Sequence, residues 1–111
     1  MPGTAERCVG LMSGTSMDGV DGVLVAFEAG HIRVEAHVFR PFATDLRTDL
    51  LALNISGNDE LHRAALAANR LVRVYAEVIQ ALLAQSGRPA GDIAAIGAHG
   101  QTVRHRPGAF D

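Results

Sequence analysis

Lysine is missing from this chain, and all ten of its basic residues are Arg. A phosphate loop of the Walker type, which needs a Lys after its last glycine and then a helix, is therefore excluded. The single cysteine, Cys8, rules out an internal disulfide and a cysteine-built zinc cage, and a reducing compartment follows more easily than an oxidising one. Cys8 stands in an apolar run without a cationic sequence neighbour placed to ionise it, so a buried structural thiol is expected and not a nucleophile. A large excess of charge of either sign is also lacking. A formal net charge of -2 offers no electrostatic attraction for nucleic acid or an anionic membrane. No basic segment leads into a long apolar stretch at the N-terminus, and no window approaches the roughly 20 apolar residues of a membrane span. The expected location is the cytoplasm.

What the chain does contain is the mixture of a folded protein, 48% apolar and 20% charged over 111 residues. That length allows one small domain burying somewhat over ~60% of its unfolded surface. Cys8 to Ser13 reads as a short strand, GTSMDG as a turn, and Val20 to Phe27 as a second strand. Glu28, Ala29 and Gly30 make the next turn. Beyond it Ile32, Val34, Ala36 and Val38 alternate with His31, Arg33, Glu35 and His37, the period of a half-buried third strand. Pro41 ends it, and Thr44 is placed to cap a short helix carrying Leu46, Leu50, Leu51 and Leu53.

The strongest pattern is a helical stripe of Leu61, Ala64, Ala65, Ala68, Leu71, Val72, Tyr75, Val78, Ile79, Leu82 and Leu83. Asn58 is the expected N-cap, Asp59 and Glu60 suit the positive helix end, and Gly87 with Pro89 stops the run, giving a helix roughly 40 Å long. Such a stripe is read as core. Ile93 to Ala98 is a short apolar strand that leads into the polar segment HGQTVRHRP. The first three strands should pair antiparallel, with the strand at Ile93 parallel to the first, because parallel neighbours need a long crossover. The predicted class is α/β, a mixed sheet with an antiparallel N-terminal meander.

Two loops carry whatever chemistry is present. In the first, Gly14 and Gly19 bracket Thr15, Ser16, Met17 and Asp18, with Val20 and Asp21 following. Glycines permit close backbone approach, so successive N-H groups can converge on a phosphate while the hydroxyls add donors. An ordinary polar hairpin turn uses the same residue types. Asp18 and Asp21 would repel phosphate unless a divalent cation such as Mg²⁺ lay between them, held directly or through water. A serine-hydrolase elbow is rejected, since Asp18 replaces its second glycine and a strand follows where a helix is required. In the second loop His99, Gly100, Gln101, Thr102 and His105 suit recognition of sugar hydroxyls or an amide, with Arg104 and Pro107 alongside. His99 and His105 have no third partner and no spacing that defines a metal site.

The strings GLMSGTSMDGVDGVLV and AIGAHGQTVRHRP, separated by a meander and a long helix, resemble the two N-terminal signatures of the anhydro-N-acetylmuramic acid kinases. The resemblance spans essentially the whole chain. It implies a ribonuclease H-like fold of the actin, hexokinase and Hsp70 ATPase superfamily, residues 1–111 forming a truncated N-terminal domain of a two-domain sugar kinase. It further implies that Gly14, Thr15, Ser16, Met17, Asp18, Gly19, Val20 and Asp21 hold the phosphates of ATP with Mg²⁺. His99, Gly100, Gln101, Thr102 and His105 would then lie near an amino-sugar substrate in the interdomain cleft. The implied reaction phosphorylates the 6-oxygen of 1,6-anhydro-N-acetylmuramic acid while water opens the anhydro bridge, giving the 6-phosphate for peptidoglycan recycling. An aspartate base activates that water.

Family members are roughly three times as long. The second phosphate loop, the adenosine site and the aspartate base are expected outside this chain. Asp18 and Asp21 do not replace that base, because both belong to the phosphate motif. No nucleic-acid or membrane partner is expected, and a homodimer is one assembly open to the full-length form. By itself the chain is expected to be catalytically inactive, and marginally stable or self-associating. A non-catalytic fragment or pseudoenzyme acting as a nucleotide-binding or interaction module is the alternative. A chaperone or filament protein of the same superfamily would share the hairpin but not HGQTVRHRP. Gly14→Val is expected to cost far more activity than Ser13→Ala.

Overall fold

The computed structural model describes residues 5–14 and 16–109. The chain runs through three strands, β1 (Glu6–Ser13), β2 (Gly19–Glu28) and β3 (His31–Pro41), then two helices, α1 (Thr44–Ala52) and α2 (Glu60–Ser86). A single 3-10 turn (Ala90–Asp92) precedes the last strand, β4 (Ile93–Gln101). The sheet order is β3-β2-β1-β4, with both hairpin pairs antiparallel and β4 parallel to β1. This is the α/β mixed sheet that the sequence predicts. The β2–β3 turn is tight because Ala29 and Gly30 both take positive φ, 52° and 79°, which matches the twist of the flanking strands.

One face of the sheet carries the core. Val9, Leu11 and Ser13 of β1 and Val20, Leu24 and Ala26 of β2 are buried on it, facing Leu71, Tyr75, Val78 and Leu82 of α2. Gly22 lies on the same face, and a Cβ there would collide with the Val78 side chain, so the missing side chain lets α2 approach the sheet. Leu46, Leu50 and Leu53 bury the inner side of α1 and its C-terminal link against the same cluster.

Several expectations need correction. Ile32 and Val34 are 67% and 60% exposed, although Ala36 is buried in the same alternating run. The register shifts between Leu24/Val25, so that Leu24 faces Ala36 while Val25 faces Val34 and Glu35 is the extra residue. A bulge of one residue reverses which face the following side chains occupy. Ile32 and Val34 thus join Val25 and Phe27 on the face opposite α2. Cys8 is on that face too, and is half-buried where a buried thiol was expected.

In α2 the buried stripe is Ala67, Leu71, Tyr75, Val78 and Leu82, with Ala64, Val74 and Ile79 partly covered. Leu61, Ala65, Ala68 and Val72 are exposed, because the side of the helix that meets the sheet is rotated towards Ala67 and Val74. The helix caps also differ. Asp59, in a left-handed conformation, precedes α2 in place of Asn58, and Ala43 precedes α1 in place of Thr44; neither cap makes a side-chain hydrogen bond. Finally, β4 continues three residues past Ala98, drawing His99, Gly100 and Gln101 out of the predicted loop and into the sheet. Among the described residues no helix is long and apolar enough to cross a membrane.

Candidate functional site

Ser13 ends β1 and Gln101 ends β4, and the two are partners in the parallel ladder. The carboxyl ends of two adjacent parallel strands therefore open side by side, the place where α/β sheets set their ligand loops. Both segments singled out in the sequence leave from this edge.

The first loop is built around Met17. Its φ is 55°, unusual for a residue with a side chain, while the loop glycines Gly14 and Gly19 do not supply the positive φ. Three contacts hold Met17: its N-H donates to the Gly14 carbonyl at 3.2 Å, its carbonyl accepts from Arg47 Nε at 3.2 Å, and its side chain is buried in the core. Arg47 of α1 also lies 3.7 Å from Asp18 Oδ1. Sequence reasoning missed Arg47, since nothing in α1 signals that its outer face meets a loop thirty residues earlier.

The remaining members of the loop separate by role. A Cβ at Gly14 would meet open space, so the backbone there is approachable. At Gly19 a Cβ would collide with the Arg40 carbonyl oxygen and stand 2.7 Å from Pro41 Cα, so this glycine serves the close approach of β3. Val20 is fully buried core and presents no side chain to a ligand. Ser16 and Asp18 are exposed. Asp21 points to the opposite side of the sheet, where its Oδ1 is 3.0 Å from His37 Nε2. Thr15 lies outside the described residues.

Among the described residues no group of three or more His, Cys, Asp or Glu could hold a metal ion. Mg²⁺ commonly needs only one or two carboxylates when phosphates complete its shell. Asp18, exposed beside the loop, fits that use. Asp21, engaged with His37 on the far side, does not.

The second segment returns over the first. Arg104 Nε donates to the Leu53 carbonyl at 2.8 Å and its guanidinium pairs with Glu60, tying the segment to the connection between the helices. The His105 N-H reaches Asn54 Oδ1 at 3.4 Å. A cavity of about 350 Å³ results, lined by Met17, Leu51, Asn54, Thr102 and His105. It joins one member of the first loop to two of the second. Leu51 and Asn54 were not anticipated as site residues; Leu51 reads in sequence as one more helix leucine, and Asn54 as a turn former. His99 stays apart, exposed on β4 with Nδ1 3.2 Å from the Gly100 carbonyl. Gly100 has a φ of 84° and a Cβ there would meet open space.

Gln101 connects the two halves. Its Nε2 donates to the carbonyls of Gly14 at 2.9 Å and Thr102 at 2.8 Å, and its Oε1 accepts from the Ser13 hydroxyl. Ser13 is fully buried, so it is not the neutral comparison for Gly14 that the sequence suggests. A further cavity of about 390 Å³ lies between the helices, lined by residues that include Asp49, Arg63 and Arg70. Two of its three arginines are already engaged, Arg70 with Asp45 and Asp49 at 2.8 Å each and Arg63 with the Asn58 carbonyl at 2.7 Å, while Arg73 is exposed. The Tyr75 hydroxyl is buried near the Gly100 main chain, and burial pushes its pKa up.

The family model described as anhydro-N-acetylmuramic acid kinase matches residues 6–111. Similar curated proteins carry the same description. One from Variovorax paradoxus is 60% identical over 106 residues, covering 96% of this chain and 28% of the relative. One from Albidiferax ferrireducens is 62% identical over 107 residues, with 96% and 28% covered. One from Cupriavidus pinatubonensis is 54% identical over 111 residues, covering 100% of this chain and 30% of the relative. The chain thus spans less than a third of the length of these relatives.

Proposed function

Because this chain belongs to the anhydro-N-acetylmuramic acid kinase family, we propose that it supplies the N-terminal wall of a two-domain sugar kinase active site. The observation that carries this reading is the convergence of the Gly14–Gly19 loop and the Thr102–His105 segment at the paired ends of β1 and β4. The α/β sheet with its antiparallel meander is consistent with an actin-like ATPase domain, and ribonuclease H-like topology is part of the proposal.

In this reading the main chain around Gly14 and the Ser16 hydroxyl receive the phosphates of ATP, Asp18 contributes to a Mg²⁺ ion on those phosphates, and Val20 and Gly19 hold the hairpin that carries them. Mg²⁺ would neutralise charge on the transferred phosphoryl group. The cavity lined by Asn54, Thr102 and His105 takes the amino sugar, with Leu51 and Met17 against its apolar parts. Asn offers both a donor and an acceptor, as does neutral His, which suits hydroxyls and an acetamido group. Positioning and electrostatic stabilisation dominate phosphoryl transfer, so a wall of this kind contributes without containing the base. The aspartate that activates water for opening the anhydro ring belongs, in this reading, to the remaining two thirds of the family's length. The product is N-acetylmuramic acid 6-phosphate for cell-wall recycling in the cytoplasm.

The test is turnover by the complete native gene product. ADP release should require both Mg²⁺ and 1,6-anhydro-N-acetylmuramic acid, with the sugar gaining a phosphoryl group and one water by mass spectrometry. ADP release indifferent to the anhydro sugar would refute the reading. Residues 1–111 purified alone should give no sugar-dependent ADP release. If they did, a complete site would lie within this chain.

A further inference from the structure

A primary carboxamide has two N-H donors and a carbonyl acceptor. In Gln101 all three are directed at the protein. The two donors go to main-chain carbonyls on either side of the site, Gly14 at 2.9 Å and Thr102 at 2.8 Å, and the acceptor takes the buried Ser13 hydroxyl. No donor is left over for a sugar hydroxyl. The hydrogen bonds this side chain makes therefore hold the protein's own strand ends.

The Gly14 carbonyl is where that function acts. It opens the loop and accepts two N-H groups, from Met17 at 3.2 Å and from Gln101. A carbonyl oxygen turned towards a phosphate repels it, whereas N-H groups attract it. Holding this oxygen on the Gln101 side keeps it out of the anion's path. The same Nε2 holds the Thr102 carbonyl, and Thr102 lines the cavity with His105 and Met17. A shift on one side of the carboxamide is thus passed to the other. The two carbonyls fix the carboxamide's orientation, because reversing it would place an oxygen against both, and the Ser13 hydroxyl, able to donate or accept, then donates to Oε1 and steadies that end.

We propose that Gln101 is a positioning residue for phosphoryl transfer, presetting the Gly14–Gly19 loop for nucleotide phosphates and coupling it to the sugar-side segment that starts at Thr102. The inference rests on the kinase reading above. It assigns Gln101 to the loop and removes it from the sugar contacts.

The experiment uses the complete native gene product, Mg²⁺-ATP and 1,6-anhydro-N-acetylmuramic acid, with kcat and both KM values measured for three variants. Gln101→Leu frees the Gly14 carbonyl and should raise the KM for ATP and lower kcat by about 10- to 100-fold, the scale of an ångström-sized misplacement. Gln101→Glu places carboxylate oxygens against two carbonyls and should be worse than the leucine variant at pH 8. Its protonated form regains one donor, so its activity relative to the parent should rise as the pH is lowered towards 5, a pH dependence that the leucine variant lacks. Ser13→Ala should act in the same direction as Gln101→Leu but more weakly, and it keeps the idea testable if the changes at 101 prevent folding.

Parental constants in Gln101→Leu and Ser13→Ala would overturn the inference. So would a defect confined to the KM for the sugar, which would mark Gln101 as a direct contact. A parent protein without sugar-dependent ADP release would remove the kinase reading, and the inference with it. A working parent with unaffected variants would remove the inference alone.

Discussion

Arg7 on β1 grips Glu35 on β3 across the intervening strand β2, with Nε 2.7 Å from Oε1 and Nη2 3.2 Å from Oε2. Glu35 is the bulge residue of β3, and its side chain is only 14% exposed. Arg33 stands 3.2 Å and Arg88 3.6 Å from its second oxygen, so one carboxylate ties β1 and β3 to the segment after α2. The bulge that turns Ile32 and Val34 away from the core is held by this ion pair.

The pair makes stability depend on acid. The hydrogen bonds from Arg7 lead the effects that hold the Glu35 carboxyl at about 2, against an ordinary value of 4.5. A carboxyl lowered by folding stabilises fully above its unfolded value, and loses that contribution as pH falls towards the folded one. Urea midpoints should therefore drop between about pH 4.5 and 2, and Glu35→Gln should flatten that part of the profile while lowering the midpoint at pH 7. An unchanged acid limb in the glutamine variant would show that Glu35 does not carry it.

Glycine substitutions should divide by what a Cβ would strike. Gly22→Ala meets side chains, Val78 and, at 3.1 Å and 3.2 Å, Leu82 and Leu11, which can shift, so a loss of about 1–3 kcal/mol is expected. Gly19→Ala meets the β3 backbone at Arg40 and Pro41, which cannot move without opening the sheet, and should cost more. Chemical denaturation of both variants checks the order. A Gly19 variant as stable as the parent would contradict the close approach of β2 and β3.

Gly14→Val should leave the fold intact and damage function. Its Cβ would enter open space, and φ is not positive there, so stability should stay within about 0.5 kcal/mol. The branched side chain would occupy the space over the loop, and titration of the complete gene product with a fluorescent ATP analogue should show much weaker binding. Parental affinity would remove the phosphate assignment from this end of the loop.

The rotated face of α2 predicts opposite outcomes for two leucines. Leu82 is fully buried and Leu61 is 89% exposed. Leu82→Ala should cost about 2–5 kcal/mol through lost burial and a residual cavity. Leu61→Ala should fall within about 0.5 kcal/mol. Equal losses in thermal melts would mean that the sequence stripe, and not the observed face, forms the core.

The sequence by itself determined the kind and order of the elements. Period-two alternation, turn residues at Glu28 to Gly30 and a long helical repeat are local signals, and they read correctly because each depends on backbone geometry within a few residues. It also marked the two polar segments that leave the paired ends of β1 and β4, since Gly, Ser, Thr and Asp clusters at strand ends are local as well. Tertiary structure decided which face each pattern shows. A bulge at Glu35 depends on pairing with β2, so the exposure of Ile32 and Val34 could not be read from β3 alone. The face of α2 was set by where the sheet lies, not by the spacing of leucines. The hydrogen bonds of Gln101 were decided by partners 87 and 88 residues away, because a carboxamide's partners follow from which strand ends meet and not from its neighbours in sequence.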